Sequence, residues 1–150
     1  VSKIYADGIA TGMATFEKIV PTYDAWNSAH LSNCRLIAEQ DNLVLGWAAL
    51  SPVSSRCVYG GVAEVSVYID SNSRGKGVGK LLMHALITAS EAAGLWTIQS
   101  GIFPENIASC KLHEKTGFRH IGKRERVGKI DGKWKDNLLY ERRSSVIGID

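Results

Sequence analysis

The stretch Asp70-Ser-Asn-Ser-Arg-Gly-Lys-Gly-Val-Gly-Lys-Leu81 sets Gly75, Gly77 and Gly79 at the junction of two segments with different periodicities. Ahead of it, Val62-Ala-Glu-Val-Ser-Val-Tyr-Ile69 reads as a strand. Behind it, Gly77 to Ala93 carries Leu81, Leu82, Ala85, Leu86 and Ala89 at helical spacing and is stopped by Gly94. Glycines between a strand and a helix let successive backbone N–H groups turn inward together. The helix start adds the positive end of its dipole. Such a junction is a ready site for a phosphate or pyrophosphate. The same residues also fit a glycine-rich turn that holds no ligand. Two nucleotide motifs do not fit. A P-loop needs glycine five residues before its Gly-Lys pair and Ser or Thr after it, but those positions are Arg74 and Leu81. A dinucleotide fingerprint begun at Gly75 or Gly77 would need its last glycine at Lys80 or Leu82.

The remaining segments extend the same α/β pattern. Ser2 to Ala10 reads as a helix, and Thr22 can cap a second over Tyr23 to His30. Arg35 to Gln40 and Leu43 to Leu50 flank Asp41-Asn42 as a hairpin. Leu95 to Ile102 is a strand, and Ile107 to Thr116 a helix closed by Gly117. Phe118 to Ile130 and Lys133 to Arg142 form a long hairpin turning at Asp131-Gly132. The expected order is α-α-β-β-β-α-β-α-β-β, a mixed sheet covered by helices. No linker or repeat interrupts it, so residues 1–150 are expected to form one domain.

Composition removes other classes. With 45% hydrophobic and 22% charged residues the chain is neither disordered nor collagen-like. No apolar run reaches the roughly 18–20 residues of a bilayer span, and no basic segment followed by an apolar core marks a leader at the start. Three separated cysteines, Cys34, Cys57 and Cys110, without a C-x-x-C pair, support neither zinc nor a redox motif. Reduced thiols of a cytoplasmic protein are the expectation. His30, His84 and His120 share no ligand spacing, so no metal is expected. The net charge of +3 is too small to imply nucleic-acid binding, yet eleven basic and five acidic residues lie between Lys111 and Arg143. That third can attract an anionic ligand, or it can be a solvated face of alternating strand residues.

What the glycine loop does fit is Arg-x-x-Gly-x-Gly, read as Arg74, Gly77 and Gly79 directly after a strand. This resembles the pyrophosphate-cradling motif of the GNAT superfamily, the acetyl-CoA-dependent N-acetyltransferases. Asn106-Ile-Ala-Ser-Cys-Lys-Leu-His113-Glu-Lys-Thr-Gly117-Phe118 resembles that family's second cofactor motif, in the correct order along the chain. Further pieces are similar to the phosphinothricin and methionine sulfoximine N-acetyltransferase branch: Ile4-Tyr5, Ala14 to Glu17, Ala63 to Tyr68, Leu112-His113-Glu114 and Asp131 to Asp136. The resemblance covers nearly the whole chain. It implies a central mixed, largely antiparallel sheet flanked by helices. The family's usual opening strand, which precedes the Ile4-Tyr5 helix, is missing here, and Val1 is not a start methionine, so an incomplete chain is expected. It also implies acetyl-CoA as cosubstrate, a homodimer, and a small amine as the acceptor.

The resemblance assigns roles residue by residue. Val67, Tyr68 and Ile69 would pair with the pantetheine along a strand that splays from its neighbour. Arg74, Gly75, Lys76, Gly77, Val78, Gly79 and Lys80 would hold the pyrophosphate, with Asn106 and Ser109 completing the cofactor site. Glu64 matches the glutamate proposed as general base, which the reaction needs because only a neutral amine attacks the thioester. By strand pattern alone Glu64 is a solvent-facing residue. His113 stands where many superfamily members have Tyr and would protonate the leaving thiolate, or it merely packs. A backbone N–H near Val67 or Tyr68 would meet the oxyanion. Independently of the resemblance, Arg56, eight residues before Glu64, is the expected partner for a substrate carboxylate, since guanidinium matches it bidentately; a surface loop arginine is the alternative. Ser66 and Phe16 complete the substrate set, with Trp26, Tyr59 and Trp134 as further walls; core packing explains each of the four aromatic residues at least as well. One departure concerns the substrate: where relatives often carry Arg or another polar residue after the tyrosine matching Tyr59, this chain has Gly60 and Gly61. A peptide N-acetyltransferase, a CoA-binding sensor without activity and a basic nucleic-acid-binding module are the alternatives. Glu64 and His113 together speak against the sensor, and the modest charge against nucleic acid.

Overall fold

The computed structural model describes residues 1–150. Helices α1 (Ser2–Ala10) and α2 (Tyr23–Ala29) precede a hairpin of β1 (Leu36–Gln40) and β2 (Leu43–Pro52). Then follow β3 (Val62–Ile69), α3 (Val78–Ala92), β4 (Thr97–Ile102), α4 (Ile107–Lys115), β5 (Arg119–Ile130) and β6 (Lys133–Arg143). The expected order holds, and so does the mixed, largely antiparallel sheet. Two short 3-10 turns, Cys57–Tyr59 and Ser71–Ser73, are additions. Local chemistry explains the boundaries. The Thr22 hydroxyl accepts from the Ala25 N–H at 3.2 Å and starts α2. Asp41 and Asn42, with φ of 51° and 62°, form the tight turn that right-twisted strands prefer.

The six strands lie in the order β1-β2-β3-β4-β6-β5, and every neighbouring pair is antiparallel except β3 and β4. β2 is buried on both faces and its alternation sorts the two layers. Ala48 and Leu50 face the main core with Leu82, Met83 and Leu86 of α3. Trp47 and Ala49 face the opposite side, against Ile4 of α1, with Tyr5, Trp26 and Tyr68 around them. Helices α1 and α2 thus cover one face and α3 and α4 the other.

The feature that positions the site is the fork between β3 and β4. Their parallel pairing holds only at Val62 with Thr97, Ala63 with Ile98 and Glu64 with Gln99. Beyond Glu64, β3 stays paired to β2 as far as Ile69, while β4 stays paired to β6 as far as Ile102. The two strands therefore part, and each leaves an unpaired backbone edge facing the gap.

Candidate active site

Strand alternation fixes which β3 groups line the gap. The Asp70 N–H donates to the Leu45 carbonyl of β2 at 2.8 Å. Backbone groups alternate sides along an antiparallel strand, so those of Tyr68 and Ser66 also point to β2. Those of Val65, Val67 and Ile69 point into the fork. Of Val67 and Tyr68, the two residues that the sequence left open as sources of an oxyanion N–H, only Val67 turns its N–H into the fork.

At the outer end of the fork the glycine loop reaches α3. Asp70 accepts from the Asn72 N–H at 3.0 Å and shapes the turn. Gly75 and Gly77 take left-handed φ values of 73° and 81° that a side chain would strain. Gly77 caps α3 without a side chain, so no capping side chain accepts from the first N–H groups of that helix. Gly79 has a different use. A Cβ there would sit 3.2 Å from Leu112, so its absence lets α3 and α4 approach.

Two adjoining cavities fill the fork. The outer one, about 530 Å³, is lined by Val67, Tyr68 and Ile69, by the loop through Lys80, and by one face of α4. Arg74, Lys80, Lys111 and Lys115 bring four cations to it, with no acidic residue among its lining. The inner cavity, about 210 Å³, carries Glu64, Ser66, Phe16, Ser100, Asn137 and His113 in its wall. Its only formal charge is the Glu64 carboxylate. Met13, Ala14, Val67, Tyr68, Asn106 and Ser109 belong to both, so the cavities meet along the Val67 edge. One helix serves both. Ala108, Lys111, Leu112 and Lys115 stand at i, i+3, i+4 and i+7 toward the outer cavity, His113 turns to the inner, and Asn106 and Ser109 face both.

Asn106 ties these parts together. Its Oδ1 accepts from the Ser109 N–H at 3.2 Å and caps α4. Its Nδ2 donates to the Met13 carbonyl at 3.3 Å, which holds the loop after α1 over the junction of the cavities. Tyr68 stacks on Trp47 with ring centres 5.0 Å apart, and burial pushes its phenol pKa up, so it stays neutral. Phe16 rests on Gly128 and meets Phe103 edge-on at 4.8 Å.

His113 departs from its expected role. It is only 1% exposed, and its Nδ1 lies 2.7 Å from the Ser109 carbonyl. A carbonyl only accepts, so Nδ1 carries the proton and the buried, unpartnered Nε2 is a lone pair. Burial lowers the ring's pKa from 6.5 more than that hydrogen bond raises it. The neutral ring has Nε2 as its acceptor, and its burial fits the packing alternative of the two that the sequence offered, acid or packing residue. Below pH 6.5 an unfolded histidine takes up a proton that the buried ring resists, so acid costs stability. The melting temperature should therefore fall as pH drops below 6.5, and His113→Phe should flatten that fall. Identical slopes in both proteins would show that His113 does not set it.

Other expected residues lie elsewhere. Arg56 is outside both cavities, with its guanidinium 5.6 Å from the Tyr59 ring, and Tyr59 itself is exposed. Trp26 belongs to the aromatic cluster beside Trp47, and Trp134 lies exposed under Lys129. Lys76 projects from the loop and does not line the outer cavity. Lys111, Lys115 and Asn137 are the residues that motif reading passed over. The i, i+4 lysines were the legible signal, whereas Asn137 reaches the cavity only through the pairing of β6 with β4.

The sequence matches the acetyltransferase (GNAT) family over residues 8–118. It is 37% identical over 99 residues to phosphinothricin N-acetyltransferase of Streptomyces coelicolor, 66% of this chain and 58% of that protein. The chain thus spans less than two thirds of that relative. To the phosphinothricin N-acetyltransferase of Alcaligenes faecalis it is 32% identical over 149 residues, 95% of this chain and 75% of the other. Among solved structures, yncA of Salmonella typhimurium with its cofactor acetyl-CoA superposes with a TM-score of 0.87 at 27% identity, covering 95% of this chain and 85% of that one. Forked strands, glycine loop and second motif thus lie within the matched span, and the chain belongs to the acetyltransferase (GNAT) family.

Proposed function

We propose that residues 1–150 form one acetyltransferase domain that moves acetyl from acetyl-CoA directly to the amine of a small amino-acid-like substrate. Phosphinothricin, methionine sulfoximine and methionine sulfone are its models. The observation that carries this reading is the division of charge across the fork: four cations and no acid on one side, one carboxylate and no lysine or arginine on the other. The cationic side suits the phosphates of CoA. The loop N–H groups and the α3 start would hold the pyrophosphate, with Arg74, Lys80, Lys111 and Lys115 around it. The Val65, Val67 and Ile69 edge would pair with pantetheine amides as a strand would. This brings the thioester to the meeting point of the two cavities.

On the other side Glu64 attracts the protonated amine and takes its proton, directly or through water. The freed nitrogen lone pair forms a bond to the thioester carbon. The Val67 N–H meets the oxygen as it becomes negative, the nitrogen gives up its second proton to solvent, and the carbon–sulfur bond then breaks to release CoA thiolate and leave the neutral amide. The neutral His113 ring, with its Nε2 lone pair, favours accepting a hydrogen bond over giving a proton to the thiolate. A thiol pKa near ~8.5 makes that protonation a small need. Ser66 and Phe16 would bound the amine's side chain. The reading includes a homodimer through the β5–β6 hairpin, which exposes Ile121, Val127 and Trp134.

Thiol release from acetyl-CoA, measured with phosphinothricin, methionine sulfoximine, methionine sulfone, plain amino acids and a short peptide, tests this. Stimulation by the small amines above the peptide is the expected result. Stimulation by the peptide alone would transfer the reading to a peptide N-acetyltransferase. No stimulation by any amine, with acetyl-CoA bound in calorimetry, would leave a CoA-binding protein without this activity.

A further inference from the structure

The outer cavity carries more positive charge than its glycine loop accounts for. Arg74 on the loop and Lys80 in the first turn of α3 stand beside the N–H groups that would meet a pyrophosphate. Lys111 and Lys115 come from α4 instead. Both are exposed, and neither ammonium has a carboxylate within 4.0 Å. Glu114, the acid between them in sequence, is engaged elsewhere and accepts from the Tyr140 hydroxyl at 2.9 Å. Two lysines four residues apart on one helix face repel each other until an anion joins them.

Their position on α4 decides which anion that is. Side chains advance round a helix by roughly 100° per residue. Asn106, Ser109 and His113 mark the side toward the inner cavity. Leu112 comes next round, and a Cβ on Gly79 would lie 3.2 Å from it, so the start of α3 abuts α4 there. Lys115 and Lys111 follow, on the side turned away from the inner cavity. Seen from the place of the thioester, the pair therefore lies past the α3 start. In CoA the group past the pyrophosphate is a ribose with a 3′-phosphate monoester, whose charge near pH 7 is about −1.5 to −2. Two lysines match that charge, as Arg74 and Lys80 match the pyrophosphate. We propose that Lys111 and Lys115 form the site for the 3′-phosphate of CoA, so that the protein distinguishes CoA from dephospho-CoA. This assignment rests on the outer cavity holding CoA and specifies its far end.

Calorimetric titration with free CoA and with 3′-dephospho-CoA tests it without relying on turnover. The parent protein is expected to bind CoA at least about fivefold more tightly, the scale of two exposed ion pairs. Lys111→Ala combined with Lys115→Ala should bring the two affinities to within about twofold, mostly by loss on CoA. Arginine at both positions should restore most of the difference, because it keeps the charge. Equal affinities in the parent protein would overturn the assignment before any substitution is made. A double alanine variant that weakens both ligands alike would overturn it too, since the lysines would then act on the pyrophosphate. Undiminished discrimination in that variant would place the 3′-phosphate on other residues. Binding of neither ligand to the parent protein would instead sink the CoA reading of the outer cavity, and this one with it.

Discussion

Glu64→Gln is expected to lower kcat at neutral pH by at least about tenfold, within the range that positioned general bases contribute, while acetyl-CoA still binds. The substitution keeps the shape of the side chain and removes both its charge and its basicity. In the proposed reading acetyl-CoA would lie against the other wall of the fork, where the four cations are, so its affinity has no reason to change. The expected pH behaviour makes the test specific. An α-amine with an ordinary pKa near ~8 is mostly protonated at pH 7 and mostly neutral a unit or two above that value. A protein without its base should therefore recover toward the parent rate as pH rises. A structural defect would not be repaired that way. Steady-state kinetics across pH decide it: an unchanged kcat at neutral pH would remove Glu64 from the mechanism. A loss that stays constant with pH would make it a positioning group.

The local elements were legible because their signals are local. Val62–Ile69 alternates, α3 has a helical stripe between glycines, and Asp41-Asn42 and Asp131-Gly132 are turn pairs with the left-handed φ values they favour. The glycine loop could be read as a candidate anion site for the same reason, whereas the α4 motif was legible only through the family resemblance. Arg56 shows where such reading stops. Its eight-residue separation from Glu64 says nothing of direction, and the turn at Cys57–Tyr59 carries its guanidinium over an aromatic ring outside the cavity. Asn137 shows the converse. It follows directly on the Asp131 to Asp136 piece, to which no role was assigned, and reaches the cavity only because β6 pairs with β4. The tautomer of His113 was hidden at a finer level. Which nitrogen holds the proton depends on a carbonyl one helical turn back, and only the rotamer reveals it.

Gly60 and Gly61 read in sequence as a loss of polar substrate contacts, but at Gly61 the structure supplies a packing reason. A Cβ on residue 61 would lie 2.1–2.3 Å from three atoms of the Trp96 indole, which cannot bend away as a flexible side chain would. The Gly61 carbonyl meanwhile accepts from the N–H groups of Trp96 and Thr97 at 2.9 and 3.1 Å, starting the short parallel pairing of β3 with β4. Gly61→Ala should therefore cost about 2–3 kcal/mol, as overpacking of a filled interior does, and lower the melting temperature by roughly 4–12 °C. Because the displaced strand is the base of the fork, the acetyl-CoA KM should rise in the protein that remains folded. Trp96→Leu on its own should destabilise by leaving a void. Combined with Gly61→Ala it should cost less than the two single changes summed, by about 1 kcal/mol or more, since the smaller side chain makes room for the new methyl. Additivity within about 0.5 kcal/mol would place the strain somewhere other than this ring. It would also detach the fork's opening from the contact between Gly61 and Trp96.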